Sequence, residues 1–128
     1  KVLFTQDQAL GKTEMIVFAA RKSFIDKNRA AMVDFMEDLL RVVHWYIDPK
    51  NHDAAAQIAS QLTKAPVERF GWLFTKQDNY RDPHMLPDLA ALQRNVDTVR
   101  DLGFVKKHID IKAHADLSLV QEAAKRIK

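Results

Sequence analysis

Hydrophobic residues recur with helical spacing along most of the chain, and the pattern is strongest at residues 28–47. At 100° per residue, the apolar side chains of this stretch share one half of a helical wheel and most charged side chains lie on the other. Asn28 is suited to cap the start of the helix, and Asp48-Pro49 ends it because a residue before proline disfavours helical geometry. The pattern predicts a long amphipathic helix with Leu39 fully buried.

Shorter helical patterns follow the long helix. We predict four further helices, at residues 52–62, 66–74, 88–103 and 118–127. Pro66 suits a first helical position, where its missing N–H would have no partner, and Gly103 can end a helix in the left-handed conformation. Ser118 with Gln121 resembles a capping box that opens the last helix. The residues between the last two helices are expected to form an extended connection.

Two extended patterns precede the helices. Residues 1–5 are typical of the end of a strand, residues 15–20 form an unbroken apolar run of strand length, and a turn with Gly11 separates them. Two lone strands make a marginal sheet. These strands are therefore expected to pair either with a second copy of the chain or with strands encoded upstream. As it stands, the chain is predicted to be mainly α, with about five helices and two short N-terminal strands.

The composition is that of an ordinary globular domain, with 47% hydrophobic and 29% charged residues in a chain of 128. The net charge of +3 comes from interleaved acids and bases, which disfavours a nucleic-acid interface because such an interface needs a clustered basic face. The longest apolar run is too short to span a membrane. The lack of cysteine excludes disulfides, cysteine-ligated zinc and thiol catalysis.

Candidate catalytic and metal-binding motifs are weak. Gly11-Lys12-Thr13 resembles the end of a phosphate-binding loop, but Gln6 occupies the position of the required first glycine. The five histidines show no metal-binding spacing, and no serine has the context of a nucleophile. The sequence predicts no metal, no cofactor and no catalytic residue, so the chain is not expected to be an enzyme.

The order of these elements resembles one family. The run GKTEMIVFAARKSFIDKNRAAMVDFMEDLLRVVHWYIDP has an extended segment, a short helix with Phe24 and Ile25, and a long helix ending in an aromatic–Asp–Pro motif. The stretches FGWLFTKQDNYRDP, PDLAALQRNVD, LGFVKK and ADLSLVQEAAKR follow it. Together they are similar to the C-terminal portion of solute-binding proteins of ABC importers, of the nitrate/sulfonate/taurine type whose relatives bind thiamine-pyrimidine precursors. The resemblance covers essentially the whole chain.

The resemblance implies a place for this chain in a larger fold. Such receptors have a two-lobed α/β architecture, the type II periplasmic-binding-protein fold, in which the lobes clamp a ligand and two crossover segments join them. Residues 1–20 would then supply a second-lobe strand, the hinge loop and a crossover strand. Residues 21–128 would be helical and complete the first lobe, as one segment of the C-terminal part.

The resemblance also implies a site and partners. Only the hinge loop is expected to approach the ligand cleft, so the candidate ligand-binding residues are Thr5, Gln6, Asp7 and Gln8. Their hydroxyl, amide and carboxylate groups suit a small polar solute. The solute would be a sulfonate, nitrate, taurine or a pyrimidine-like molecule, and the protein partner would be the membrane permease of the importer. The implied location is periplasmic, or extracytoplasmic with a lipid anchor.

Two other functions fit parts of the sequence. The same superfamily includes a thiamine-pyrimidine synthase, although that enzyme uses a cysteine-rich motif and this chain has no cysteine. A stand-alone helical interaction module is the other alternative. In either the receptor or the module, the isolated chain is expected to form a homodimer through residues 1–20, from Lys1 to Ala20, because an exposed apolar strand promotes association.

Overall fold

The computed structural model describes residues 3–14, 16–75 and 82–127, with the side chain of Asp7 outside the description, and this part of the chain is mainly helical. Its seven α-helices are α1 (Gln6–Leu10), α2 (Lys22–Lys27), α3 (Arg29–Ile47), α4 (His52–Thr63), α5 (Leu89–Asp101), α6 (Ile111–His114) and α7 (Ser118–Ala124). Short 3₁₀ turns lie at Pro49–Asn51 and Val67–Phe70. The prediction of a mainly α chain is confirmed.

The two predicted N-terminal strands are not seen. Lys1, Val2 and Met15 lie outside the described residues, and the remainder of residues 1–5 and 15–20 is not in β-structure. A strand requires a neighbouring strand to accept and donate its backbone hydrogen bonds, and no described segment supplies one. The predicted hinge loop instead contains α1, which the hydrophobic pattern did not indicate.

The chain divides into two compact units, each built from two separate stretches. The first comprises Lys1–Lys22 and Pro87–Leu117, where α6 packs against α5. The second comprises Ser23–Leu86 and Ser118–Lys128, where α3 packs against α7 and α4 packs against both 3₁₀ turns.

The core of the second unit lies between α3 and α7. The buried side chains of these two helices are Val33, Leu40 and Val43 from α3, and Leu119, Val120 and Ala123 from α7, and α4 adds Ala55 and Ala56 to the buried residues of the unit. Exposed ion pairs border this core: Arg29 contacts Glu122 at 2.9 Å, and Arg126 contacts Asp34 at 2.8 Å. Arg29 pairs with Glu122 within α7, and Asp34 pairs with Arg126 just after α7, so α3 and the segment that contains α7 run in the same direction.

The predicted burial of Leu39 is wrong, since Leu39 is half-buried and its neighbour Leu40 is fully buried. The apolar half of α3 contains two stripes rather than one. The stripe through Val33 and Leu40 is buried, and the stripe through Leu39 and Val42 remains accessible, with Val42 55% exposed. The neighbouring elements cover only part of the apolar half of α3, so the choice between adjacent leucines depends on tertiary packing.

The ends of α5 agree with the sequence prediction. The Asp88 carboxylate accepts a hydrogen bond from the Ala91 N–H at 2.9 Å, which caps the first turn. Gly103 has φ +84°, and the Phe104 N–H donates to the Val99 carbonyl at 3.1 Å. These are features of the Schellman arrangement, in which a left-handed glycine reverses the chain after a helix.

Other boundaries differ from the predictions. Residues 66–74 form a 3₁₀ turn at Val67–Phe70 instead of a helix, and α6 interrupts the connection that was expected to be extended. Asn28 precedes α3 but donates its amide to the Phe24 carbonyl rather than capping α3. Ser118 is already the first residue of α7, and its hydroxyl accepts a hydrogen bond from Arg29. Short helices depend on such tertiary contacts more than on local signals.

Candidate functional site

The candidate ligand-binding residues lie at the start of α1. The side-chain amide oxygen of Gln8 accepts a hydrogen bond from the Thr5 N–H at 2.9 Å, in the manner of a capping box. The Gln6 amide donates to the Thr13 hydroxyl at 3.0 Å, which closes the turn that contains α1. Thr5, Gln6 and Gln8 are exposed and close together, while the side chain of Asp7 is outside the described residues. The turn therefore presents hydroxyl and amide groups from one short segment.

The far end of this turn is attached to α5. The Glu14 carboxylate accepts a hydrogen bond from the Asp88 N–H at 2.9 Å, and the Asn95 amide donates to the Glu14 carbonyl. Asn95 lies two turns into α5, so the backbone and the side chain of Glu14 are fixed at different points along the same helix. These contacts hold the polar turn in a defined position within the first unit.

Two cations complete the attachment. The Lys12 ammonium contacts the Asp88 carboxylate at 2.9 Å, and the Arg94 guanidinium donates to the Lys12 carbonyl at 2.8 Å. The Asp88 carboxylate thus forms an ion pair with the Lys12 ammonium and also accepts a hydrogen bond from the Ala91 N–H. The hydrogen bond from Lys12, followed by that from Ala91, holds the pKa of Asp88 below its ordinary value.

The lowered pKa of Asp88 predicts a pH-dependent contribution to stability. The ionised carboxylate stabilises the folded chain above the pKa of an unfolded aspartate, about 3.9, and this stabilisation is lost as the pH falls through the lower folded-state pKa. Replacing Asp88 with asparagine removes the charge but keeps an oxygen that can cap α5. We expect Asp88→Asn to be less stable than the unmodified chain at pH 6 and the difference to shrink towards pH 3.

Denaturant titrations between pH 3 and pH 6 measure this effect. Asp38→Asn is the matched control, because Asp38 is exposed on α3 and the substitution changes charge in the same way. The same pH-dependent difference in Asp38→Asn would mean that general charge, rather than the Lys12 contact, is responsible.

Sequence reasoning identified the turn but missed its attachment. Asp88 was expected to begin a helix, and no binding or attachment role was assigned to Lys12, Glu14, Arg94 or Asn95. The contacts join residues 74–82 positions apart in the chain. Pairs so far apart leave no periodic signal in the sequence. The only sequence feature that could have indicated them is that residues 12–14 and residues 88–95 each contain both an acidic and a basic side chain.

The histidines do not form a metal site in the described part of the chain, where no group of three or more histidine, aspartate and glutamate side chains is placed to hold a metal ion. His44 lies 3.0 Å from the Pro83 carbonyl, a contact that suits a ring N–H donor. His52 Nδ1 lies 3.4 Å from the Asp53 carboxylate. These single contacts are of the kind that positions a side chain.

No protein-family model, curated protein or solved structure matches this chain. Within the described ranges, no helix combines the length and apolar character needed to cross a membrane. The function is therefore inferred from the residues and geometry of the chain itself.

Proposed function

We propose that this chain is the C-terminal part of a two-lobed receptor that binds a small solute for an ABC importer. The observation that carries the proposal is a polar turn, fixed to α5, that is followed in the chain by the exposed apolar residues 16–20, which have no regular secondary structure. In a receptor of this type, the turn contributes to the hinge beside the ligand, and residues 16–20 form one of the connections between lobes.

The exposure of residues 16–20 supports this arrangement. Ile16 is 86% exposed and Val17 is 45% exposed, although both are strongly apolar. A continuous apolar run of this kind is typical of a strand covered on both faces, as in the parallel sheets of α/β proteins. The accessible stripe of α3 through Leu39 and Val42 is a second surface of the kind that packs on such a sheet.

The chemistry of the turn suits a small polar solute. Thr5 supplies a hydroxyl, Gln6 and Gln8 supply amides, and Asp7 supplies a carboxylate. These groups can donate to the oxygens of a sulfonate or nitrate and can accept from the amine of taurine or an aminopyrimidine. The protein partner under this proposal is the importer's membrane permease, and the location is periplasmic or lipid-anchored outside the cytoplasm.

The proposal is tested by isothermal titration calorimetry on a protein that contains this chain together with the sequence encoded upstream in its gene. The solutes are taurine, alkanesulfonates, nitrate and aminopyrimidines. We expect one of them to bind and Gln6→Ala to weaken that binding by about tenfold, the effect of losing one hydrogen bond. Gln57→Ala on α4 is the matched control, because Gln57 is also an exposed glutamine.

The 128-residue chain alone should show no turnover and should bind these solutes only weakly, because a clamp needs both lobes. Sub-micromolar binding by the isolated chain would show that it contains a complete site. An equal loss of affinity in Gln6→Ala and Gln57→Ala would contradict the role of the turn. Failure of the longer protein to bind any of the solutes would count against the receptor proposal as a whole.

A further inference from the structure

An open groove of about 490 Å³ lies within the first unit, between α5 and the chain that returns along it after Gly103. One wall is a face of α5 that includes Leu89, Ala90 and Gln93. The other wall comes from residues 108–112 of the return segment. Its volume is in the range of small-ligand sites, which is about 300–1,000 Å³. The candidate ligand-binding residues of the N-terminal turn do not line it.

A side-chain clamp fixes the width of this groove. The Gln93 amide nitrogen donates to the Ile109 carbonyl at 3.0 Å, and its oxygen accepts from the Ile111 N–H at 2.9 Å. Gln93 therefore uses both ends of its amide on the backbone of the return segment. The opposite wall is held at a fixed distance from α5 before any ligand arrives, which lowers the ordering cost of binding.

The rim of the groove is predominantly basic. Arg94, Lys112 and His108 line it, and the only acidic side chain among the lining residues is Asp110. One Asp110 oxygen already accepts hydrogen bonds from the Lys112 N–H at 3.0 Å and the Ala113 N–H at 3.4 Å. Its negative charge is partly satisfied by the start of α6, so the balance of the rim favours an anion.

The rim cations keep donors available. Arg94 has five N–H groups, and its contact with the Lys12 carbonyl uses one of them. His108 Nδ1 lies 3.1 Å from an Arg100 nitrogen. When Arg100 donates to Nδ1, the ring proton is on Nε2, so the imidazole is itself a donor.

Most of the accessible lining of the groove is carbon, and Leu89 and Ala90 contribute to it. An inorganic anion would use the charged groups but not this carbon surface, while an uncharged hydrocarbon would use only the carbon surface. The combination matches a molecule with one anionic head and a short apolar body.

We propose that this groove binds small organic monoanions with a short apolar body, such as alkyl sulfonates or alkyl carboxylates. The site is separate from the turn that carries the proposed receptor function and does not depend on that function. Because the groove is open, binding is weak, with a Kd on the order of millimolar for a ligand of this size.

Hexanesulfonate titrated into the 128-residue chain tests the proposal, with backbone amide chemical shifts as the measurement. Shifts should concentrate at residues 89–94 and 108–112. Lys112→Gln should raise the Kd by about threefold to fivefold, the upper range for an exposed ion pair. Lys107→Gln is the matched control, because Lys107 is exposed on the same return segment but does not line the groove. Its Kd should change by less than about 1.5-fold, since screening weakens distant charges.

The contribution of the apolar lining to binding is tested separately. Leu89→Ala should raise the Kd for hexanesulfonate, whereas Leu102→Ala should not, because Leu102 is 68% exposed and lies outside the groove. Sulfate and hexyltrimethylammonium should each bind more weakly than hexanesulfonate. The proposal would be overturned if either of these two probes bound as tightly as hexanesulfonate. It would also be overturned if Lys112→Gln and Lys107→Gln had equal effects on the Kd, or if the chemical-shift changes were not localised. None of these outcomes involves Gln6 or the longer protein, so this site and the receptor function can fail independently.

Discussion

Replacing Leu40 with alanine should lower the free energy of unfolding by about 2–5 kcal/mol, the range for a leucine truncated in a packed core. Leu40 has no exposed surface and lies on the buried stripe of α3. Removal of its side chain leaves a cavity that the neighbouring residues can fill only in part. Urea or guanidinium denaturation, followed by circular dichroism, measures the change.

Leu39→Ala is the matched control for Leu40→Ala. It removes the same atoms from the adjacent position, where the side chain is only half-buried. We expect a loss clearly smaller than that of Leu40→Ala, because the apolar area withdrawn from water is smaller. An equal or greater loss in Leu39→Ala would restore the original prediction from the sequence and would contradict the observed orientation of α3.

The isolated chain should self-associate through its N-terminal segment. Residues 16–20 are apolar and have no regular secondary structure, and Ile16 and Val17 are exposed. Such a segment is an association site, because it can pair with the same segment of a second chain in a two-fold symmetric contact. Light scattering should detect a homodimer or a larger species at high micromolar concentration.

A lysine within the segment should oppose this association. Val17→Lys places a charge where two chains would meet, so the population should move towards monomer. Val99→Lys is the control, since Val99 on α5 is 40% exposed and the substitution is chemically identical. If the unmodified chain is already monomeric at high micromolar concentration, the segment is not an association site. An equal shift in both variants would attribute the effect to net charge.

The sequence predicted the helices whose signals are local. The hydrophobic period of residues 28–47 and the proline that follows them predicted the limits of α3 to within one residue. As expected, α5 starts next to Asp88 and ends before Gly103. Capping groups and left-handed glycines act within one helical turn, so the residues that specify them are adjacent in the sequence.

The predicted strands and the orientation of α3 depend on distant residues. The apolar character of residues 16–20 is compatible with a strand, but strand formation requires a partner, and the described part of the chain contains none. Similarly, the hydrophobic half of α3 includes both Leu39 and Leu40. The packing of other elements on α3 determines which of the two is enclosed.

Only the part of the candidate site that lies within residues 5–8 could be predicted from the sequence. Thr5, Gln6 and Gln8 lie together because they are neighbours in the chain, and all three are exposed. Their attachment through Glu14 to Asp88 joins residues 74 positions apart. The groove beside α5 arises because Gly103 turns the chain back on the helix, and its basic rim appears only after that reversal.

The pairing of α3 with α7 has a consequence for synthesis on the ribosome. The ion pairs and hydrogen bonds between their ends join residues that are 89–93 positions apart. The half of the core that surrounds Leu40 therefore remains open while most of the remaining chain is translated. During that interval the long helix exposes both of its apolar stripes, which is the condition under which nascent chains associate or recruit chaperones. The second unit can close only when its final helix has emerged.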